Sequence, residues 1–492
     1  MKIITELLGE DEMTIKVRNS LTMQLEDLIP VEEGKIKMYT CGPTVYSPPH
    51  IGNYRTFFMA DMIRRYLEYK GYDVMQILNI TDIDDKTIRD SAKEGLSLKE
   101  FTEKYTDIFF EGLDWLNIKR AHVYPRATEH IKEMVEAIKK LLDKGLAYDA
   151  EDGVYFDISK FKDYGKLVNI NAENLKVGNR AKADEYDKEN AQDFALWKKS
   201  TKEELERGIF YDSPWGKGRP GWHIECSVMS MKYLGETLDI HTGAIDLKFP
   251  HHTNEIAQSE AMTGKPFVRY WLHGEFLNLA KEKMSKSLGN ITTLHDLMNQ
   301  FDSDTIRYFF LSTRYDAILT FTEDKLTSAQ NSAERLKTTY QNVVTKLRTL
   351  TQKSPMGVNE KELLKEANKT RKDFEEAMDS NFDTPKGLKA IHELSKALNK
   401  YLEGEVNDGT LQEAFTTYQL LLSTYGLFEK IKTTESADTE SLNQLMALII
   451  DLREEARKKK DYATSDKIRD KLTEMNIVLE DSPKGTIWKY KQ

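Results

Sequence analysis

Three features of the sequence predict an α/β chain whose parallel sheet is interrupted by an insertion and followed by an all-α bundle. The first third alternates strand and helix patterns, a polar stretch with short strand signals splits that alternation in two, and beyond residue 325 the chain turns Leu-, Lys- and Glu-rich with helical spacing. Lys35 to Thr40 (KIKMYT) alternates as a strand does and runs into Cys41-Gly42-Pro43. His50-Ile51-Gly52-Asn53 follows, and Thr56 to Tyr69 then carries helical periodicity. Asp73 to Ile80 (DVMQILNI) is a second strand, ended by the acidic run Thr81 to Asp85. Strand, Gly-containing turn, helix and strand make the βαβ unit of a parallel, Rossmann-type sheet.

Helical patterns fill much of Ser97 to Gly145, and Ser97 with Glu100 forms a capping box at the first of them. The polar stretch near 150–210 includes GVYFDISKF, which alternates like a strand. The α/β pattern returns with Gly221 to Leu234 and Leu238 to His241. In the helical region, Thr384-Pro385 reads as an N-cap followed by proline at the first helical position. Lys430 to Ser441 reads as a polar linker, and Leu442 to Gln492 as a small basic domain. The expected boundaries are 1–135 and 213–270 for the two halves of the sheet domain, with 136–212 as the connective insertion between them. After these come a connecting region at 271–325, the bundle at 326–435 and the small terminal domain at 436–492.

The chain has 492 residues, 39% hydrophobic and 31% charged, which supplies real cores and argues against disorder. A net charge of -10 argues against a protein that holds nucleic acid by overall charge. An RNA partner on a local basic face remains open, because phosphate contacts answer to the local field. With two cysteines, Cys41 and Cys226, far apart in sequence, a disulfide-stapled secreted fold is not expected. The N-terminus lacks a basic flank followed by an apolar stretch, and no apolar run nears the roughly 20 residues that span a bilayer. A soluble, cytoplasmic protein with reduced thiols and no membrane association is expected.

Three groups of residues carry candidate chemistry. His251 and Glu255 are four apart, which on a helix puts them on one face, and Cys41 and Cys226 supply the only thiols; Cys, His and carboxylate are the usual zinc donors. Taken singly, the pair also fits a solvated helix face and each cysteine a buried core position. Pro48 to Asn53 lies where a strand passes into a helix, and amides at a helix start hold phosphate; an ordinary βα turn has the same punctuation. Lys283-Met284-Ser285-Lys286-Ser287 sets two lysines around small hydroxyl residues, as a loop over a triphosphate does, or as a plain surface loop does.

Read together, these pieces resemble the class I aminoacyl-tRNA synthetases. His50 to Asn53 matches their HIGH signature and Lys283 to Ser287 is a complete KMSKS. The resemblance narrows to the cysteinyl-tRNA synthetase family through Cys41 to Tyr46 (CGPTVY), Asn79 to Lys86 (NITDIDDK), Gly218 to Ser227 (GRPGWHIECS), Phe249 to Glu255 (FPHHTNE) and the C-terminal stretch from Ala456 to Trp488. One departure is Asn53, where the signature ends in His: Asn can donate a hydrogen bond but carries no positive charge.

The resemblance implies a cysteine–tRNA ligase reaction. Cysteine is activated by Mg-ATP to the adenylate, with pyrophosphate leaving, and is then passed to tRNA(Cys). It implies one zinc ion per chain, held by Cys41, Cys226, His251 and Glu255, with the adjacent His252 as competitor for His251. Zinc favours a thiolate over a serine hydroxyl, which a plain pocket rejects poorly. The implied ATP contacts are His50, Gly52, Asn53, Lys283 and Lys286. The implied amino-acid pocket is Thr81, Trp222 and His223, although Trp222 also fits core packing. Asp82, Asp84 and Asp85 are expected to form a solvated acidic turn. The connecting region becomes a KMSKS-containing stem-contact region, and the terminal domain an anticodon-binding domain in which Arg457 and Asp466 read bases and Trp488 stacks or packs nearby. A basic run that merely solvates a helix is the alternative there. A monomer is expected. The rival readings are a cysteine ligase with an amino-sugar acceptor, which lacks the bundle and terminal domain, a non-catalytic synthetase-like RNA-binding protein, and another class I synthetase.

Overall fold

A computed structural model of the chain describes residues 14–169, 175–180, 191–279, 282–283, 293–349, 357–430, 434–474, 477–482 and 485–490. The chain divides into two units, 1–427 and 428–492.

In the first unit, β1 (Lys16–Asn19) and β2 (Gln24–Asp27) form an antiparallel hairpin. Next come β3 (Lys35–Thr40), helix α1 (Ile51–Tyr69) and β4 (Asp73–Leu78), the expected βαβ unit. Helices α2 (Asp85–Lys93), α3 (Leu98–Trp115) and α4 (Ile131–Asp143) follow. Glu100 and Ser97 cap α3 reciprocally. The insertion builds its own sheet from β5 (Ala147–Ala150), β6 (Gly153–Phe156), β7 (Leu175–Arg180), β8 (Ala191–Lys199) and, after α5 (Lys202–Glu206), β9 (Gly218–Pro220). Its order is β5-β6-β8-β7, with β9 on β8.

The first sheet resumes with α6 (Trp222–Leu234), β10 (Leu238–Ala244), α7 (His251–Thr263) and β11 (Val268–Gly274). Its order is β11-β10-β3-β4, every pair parallel. Six of the seven residues of β10 are buried, as a strand covered on both faces requires. From β3 the chain winds one way to β4, and from β10 the other way to β11. The crevice at the carboxyl ends of β3 and β10 is therefore the topological switch point, where open α/β sheets bind ligands. Cys41, one residue past β3, donates its N–H to the Thr242 carbonyl of β10 at 3.1 Å.

Beyond the sheet, β12 (Leu277–Leu279), β13 (Glu282–Lys283), α8 (Leu294–Met298), α9 (Ser303–Leu311) and β14 (Leu319–Phe321) form the connecting region. Its strands make a small sheet in the order β13-β12-β14. The bundle is α10 (Glu323–Thr349), α11 (Val358–Asp379), α12 (Thr384–Leu402) and α13 (Asp408–Thr424). The cap of α12 is Asp383, not Thr384: its carboxylate accepts the Lys386 N–H at 3.2 Å, and a negative charge suits the positive end of a helix better than a hydroxyl.

The second unit holds α14 (Thr434–Lys458), α15 (Tyr462–Glu474) and an antiparallel hairpin of β15 (Ile477–Ser482) and β16 (Gly485–Tyr490). Most of the stretch read as a linker is thus the first part of α14. A polar stretch with good helix formers such as Glu435 and Glu440 can be helical without an apolar run, so polarity alone misled. Met446, Leu472 and Ile477 form a small core, with Ile449, Ile468, Leu479 and Trp488 packed against it.

Candidate metal centre and nucleotide site

The end of β3 delivers Cys41, α6 delivers Cys226, and the first turn and a half of α7 delivers His251 and Glu255 on one face. The Cys41 and Cys226 sulfurs are 3.8 Å apart. Two thiolates at the ~2.3 Å zinc–sulfur distance in tetrahedral geometry stand about 3.8 Å apart as well. Glu255 Oε1 lies 3.7 Å from Cys41 Sγ and 3.1 Å from His251 Nε2. One donor atom from each of the four residues falls within 4.8 Å of every other, and all four residues are buried.

A second donor set shares Cys41 and Glu255 and adds His241 and His252. His252 Nε2 is 3.3 Å from Cys41 Sγ, and His241 Nε2 is 3.0 Å from Glu255 Oε2. His252 is held from behind by His273, Nδ1 to Nε2 at 2.8 Å, and from beside by Gly243, where a β-carbon would fall 2.5 Å from its ring. His241 and His273 were not singled out in the sequence. Their signal is position on the parallel sheet: His241 lies midway along β10, beside Tyr39 of β3, and His273 is next to the carboxyl end of β11, one strand further out.

Burial acts on the donors in opposite senses. It pushes the Cys41 and Cys226 thiols up and holds the His251 and His223 imidazoles down at about 3; His252 and His273 are held well below the usual range. The histidines therefore stand neutral, the form that ligates, while a metal has to displace protons from the thiols.

Trp222 and His223, at the start of α6, both hold His251. The Trp222 ring is half-buried and stacks on the imidazole at 4.2 Å. His223 Nδ1 lies 3.0 Å from His251 Nδ1, one ring donating to the other, which leaves Nε2 of His251 aimed at Glu255. Gln258, two turns beyond His251 on α7, donates to the His223 carbonyl and to Ser227 Oγ. Thr81 is buried and donates to Glu225 Oε2 at 3.1 Å, while Asn79 donates to Thr81 at 3.2 Å and accepts the Gly42 N–H at 2.8 Å. That chain runs from the neighbour of Cys41 to the neighbour of Cys226. Glycine is required at 42, where a β-carbon would fall 1.6 Å from the Asn79 carbonyl oxygen.

The acidic run after Thr81 is not a solvated turn. Asp82 and Asp84 are buried: Asp82 accepts the Thr128 N–H and hydroxyl at 3.0 and 2.6 Å, and Asp84 caps α2 through Thr87. Asp85 is exposed and pairs with Arg219 and Lys198 of the insertion. The partners of Asp82 and Asp85 are too distant in sequence to be read from it, whereas the cap that Asp84 makes with Thr87 is local.

His50 is the N-cap of α1. Its Nδ1 accepts the Asn53 N–H at 3.2 Å, and Asn53 Oδ1 accepts the His50 N–H at 3.0 Å, a reciprocal cap. Gly52 lets the His50 ring fold over this turn, since a β-carbon there would lie 3.0 Å from it. Lys283 ends β13, paired with Asn278. Lys286, with Met284 to Ser287 around it, lies outside the described residues. In the second unit Arg457 and Asp466 are exposed, Asp466 sits 3.3 Å from Arg469, and Trp488 packs on the small core.

The catalytic domain of class I (C) tRNA synthetases matches residues 27–331, and a DALR domain matches 373–429. The Methanosarcina acetivorans cysteine–tRNA ligase is 49% identical over 471 residues, covering 96% of this chain and 98% of that protein. The chain belongs to the cysteine–tRNA ligase family. The Thermococcus onnurineus member is 46% identical, covering 97% of this chain and 99% of its own. Among solved structures, the Mycobacterium tuberculosis methionyl-tRNA synthetase with methionyl-adenylate aligns at TM-score 0.60 and 16% identity, covering 85% of this chain and 94% of that one. An Agrobacterium radiobacter LeuRS–tRNA complex aligns at 0.62 and 11%, covering 81% and 85%. These two likenesses speak for the fold. As a class I aminoacyl-tRNA synthetase of the cysteine family, the chain carries the buried Cys/His/Glu cluster at the switch point of its sheet. Among the described residues no helix is long and apolar enough to cross a membrane.

Proposed function

We propose that the protein activates L-cysteine with ATP and transfers it to tRNA(Cys), with a zinc ion held by Cys41, Cys226, His251 and Glu255. The observation that carries this reading is the meeting of two thiols, an imidazole and a carboxylate at the crevice where this sheet type binds ligands. Zinc, when bound there, supplies a thiophilic Lewis acid that takes the substrate side chain as thiolate and leaves serine behind.

The chain's own residues do the rest. Attack of the substrate carboxylate on the α-phosphate builds charge on phosphate oxygens and on the departing pyrophosphate. That charge needs fixed positive partners more than it needs covalent chemistry. His50, Gly52 and Asn53 present the N-terminal end of α1, whose amides and dipole favour anions, and Lys283 and Lys286 supply cations. Magnesium accompanies ATP. Trp222 and His223 orient His251, and Thr81, within reach of Glu225, borders the amino-acid pocket. In the second unit Arg457, Asp466 and Trp488 serve the anticodon. The protein acts as a monomer in the cytoplasm. The amino-sugar alternative is not favoured, because the chain keeps the helix bundle and the second unit.

The test is cysteine-dependent ATP–pyrophosphate exchange by zinc-replete protein, followed by a choice of acceptor. Exchange with cysteine and labelling of tRNA is expected. No exchange, or labelling of a glucosamine–inositol acceptor in place of tRNA, would sink the proposal.

A further inference from the structure

We infer that Arg55 is a positioning residue for ATP, locking the sheet that carries Lys283 to the start of the helix capped by His50. This rests on the proposed reading of those two residues as ATP contacts. Arg55 lies on α1, five residues beyond His50, and is 5% exposed. Its guanidinium donates to four backbone carbonyls on two separate segments. Nη1 reaches Glu275 at 2.6 Å and Phe276 at 2.7 Å, where β11 passes into β12. Nη2 reaches Arg314 at 3.1 Å and Ala317 at 2.6 Å, in the turn before β14. The two segments are themselves paired, Glu275 N–H to the Tyr315 carbonyl at 2.8 Å and Leu319 N–H to the Phe276 carbonyl at 3.0 Å. β12 between them is the strand on which β13, with Lys283, is built.

Two further contacts bring the same region back to the same turn. Thr293 forms an isolated bridge with His50, and Leu277 Cβ stands 3.8 Å from where a β-carbon on Gly52 would lie. The start of α1 and the Lys283-bearing sheet are thus joined on both sides, with Arg55 as the central post.

The chemistry of Arg55 is costly for mere filling. A buried cation whose four hydrogen bonds all go to neutral carbonyls, with the Glu275 and Asp316 charges near it but not bonded to it, gives up hydration that an apolar side chain never had, and stability alone is served as well by a hydrophobe of similar volume. What a guanidinium adds is a rigid planar fork that holds several acceptors at set angles, which a lysine ammonium cannot reproduce. In a reaction driven by positioning, an offset of about 1 Å between phosphate-binding groups is worth up to ~100-fold in rate.

The experiment measures binding of a non-hydrolysable ATP analogue by calorimetry, and ATP–pyrophosphate exchange, in the full-length zinc-loaded chain. Arg55→Lys and Arg55→Gln are expected to weaken the analogue and raise the KM for ATP about tenfold, Gln more than Lys, with the KM for cysteine within about twofold of wild type. Ala317→Gly, which keeps the carbonyl but loosens the backbone presenting it, moves ATP in the same direction by less and guards against Arg55 variants that do not fold. Leu394→Ala, in the bundle core, lowers the melting temperature and leaves ATP binding unchanged. Folded Arg55 variants with wild-type affinity for the analogue would overturn the inference. So would Leu394→Ala weakening ATP as much as they do. Wild-type protein that binds the analogue yet shows no cysteine-dependent exchange would count against the proposed function and leave the calorimetric test of Arg55 standing.

Discussion

Neutral imidazoles and protonated thiols are opposite starting points for metal ligands, and burial imposes both at this site. Zinc entry therefore releases about two protons near pH 7, one from each thiol, while the histidine gives up none. Calorimetric titration in buffers of different ionisation enthalpy measures that number; a value near zero would mean that the thiols are not the ligands. The two overlapping donor sets separate by substitution. Cys226→Ser and His251→Ala are expected to lose the metal on dialysis and His252→Ala to keep it, with metal analysis as the readout. Retention by His251→Ala with loss by His252→Ala would move the centre to the set containing His241. Asn53 separates by the same logic. As an acceptor it completes the cap of α1, so Asn53→Ala costs about 1 kcal/mol in a denaturant melt. Asn53→Asp keeps the acceptor and the stability but sets a negative charge where phosphate is proposed to bind, so the KM for ATP rises. An unchanged KM in that variant would remove Asn53 from the nucleotide site.

At the scale of elements, a buried ion cluster helps fix α1 to the bundle, alongside the bonds from Tyr66 and Lys70 to Asp379. Asp61 accepts from Arg65 Nε with both oxygens at 3.0 Å, from Arg307 at 2.8 Å and from the Lys119 N–H at 2.9 Å. Arg307 carries on to the Tyr425 carbonyl at 2.6 Å, beside Gly426, whose φ of +64° and 2.3 Å clearance to the guanidinium leave no room for a side chain. Burial raises the Asp61 carboxyl, but Arg307 and Arg65 outweigh it, and the net shift is downward. Because the folded state holds this proton less tightly than the unfolded one, the cluster's contribution is complete above the unfolded value near 3.8 and is lost as pH falls below it. Asp61→Asn leaves two guanidiniums without their counter-charge and is expected to destabilise by roughly 3–5 kcal/mol at pH 7. Its stability should also depend less on pH below 3.8 than the wild type's does. Urea melts at pH 7 and pH 3.5 measure both effects, and parallel pH profiles would mean that Asp61 does not titrate as described.

Across the whole molecule, what was legible in the sequence was whatever depends on neighbours in the chain. KIKMYT and DVMQILNI became adjacent parallel strands because alternation and Gly punctuation are local, and the four-residue spacing of His251 and Glu255 put them on one face because a helix does that by itself. What was hidden depends on distant partners. Asp82 looks solvated until Thr128 arrives to bond it, His241 looks like an ordinary strand residue until Glu255 faces it, and 434–441 looks like linker because its composition is polar although its backbone is helical. Charge behaves the same way: the total of -10 hides a run of Arg457, Lys458, Lys459 and Lys460 at the end of α14, all four exposed. If that run meets tRNA phosphates, its contribution is counterion release, which shows as salt dependence. Lys458→Ala with Lys460→Ala is then expected to leave cysteine-dependent pyrophosphate exchange unchanged, to weaken tRNA binding, and to lower the slope of log affinity against log salt by roughly 1–2. Filter binding across a salt series reads the slope. A weaker complex with an unchanged slope would mean that these lysines act through the fold of the second unit and not through phosphate.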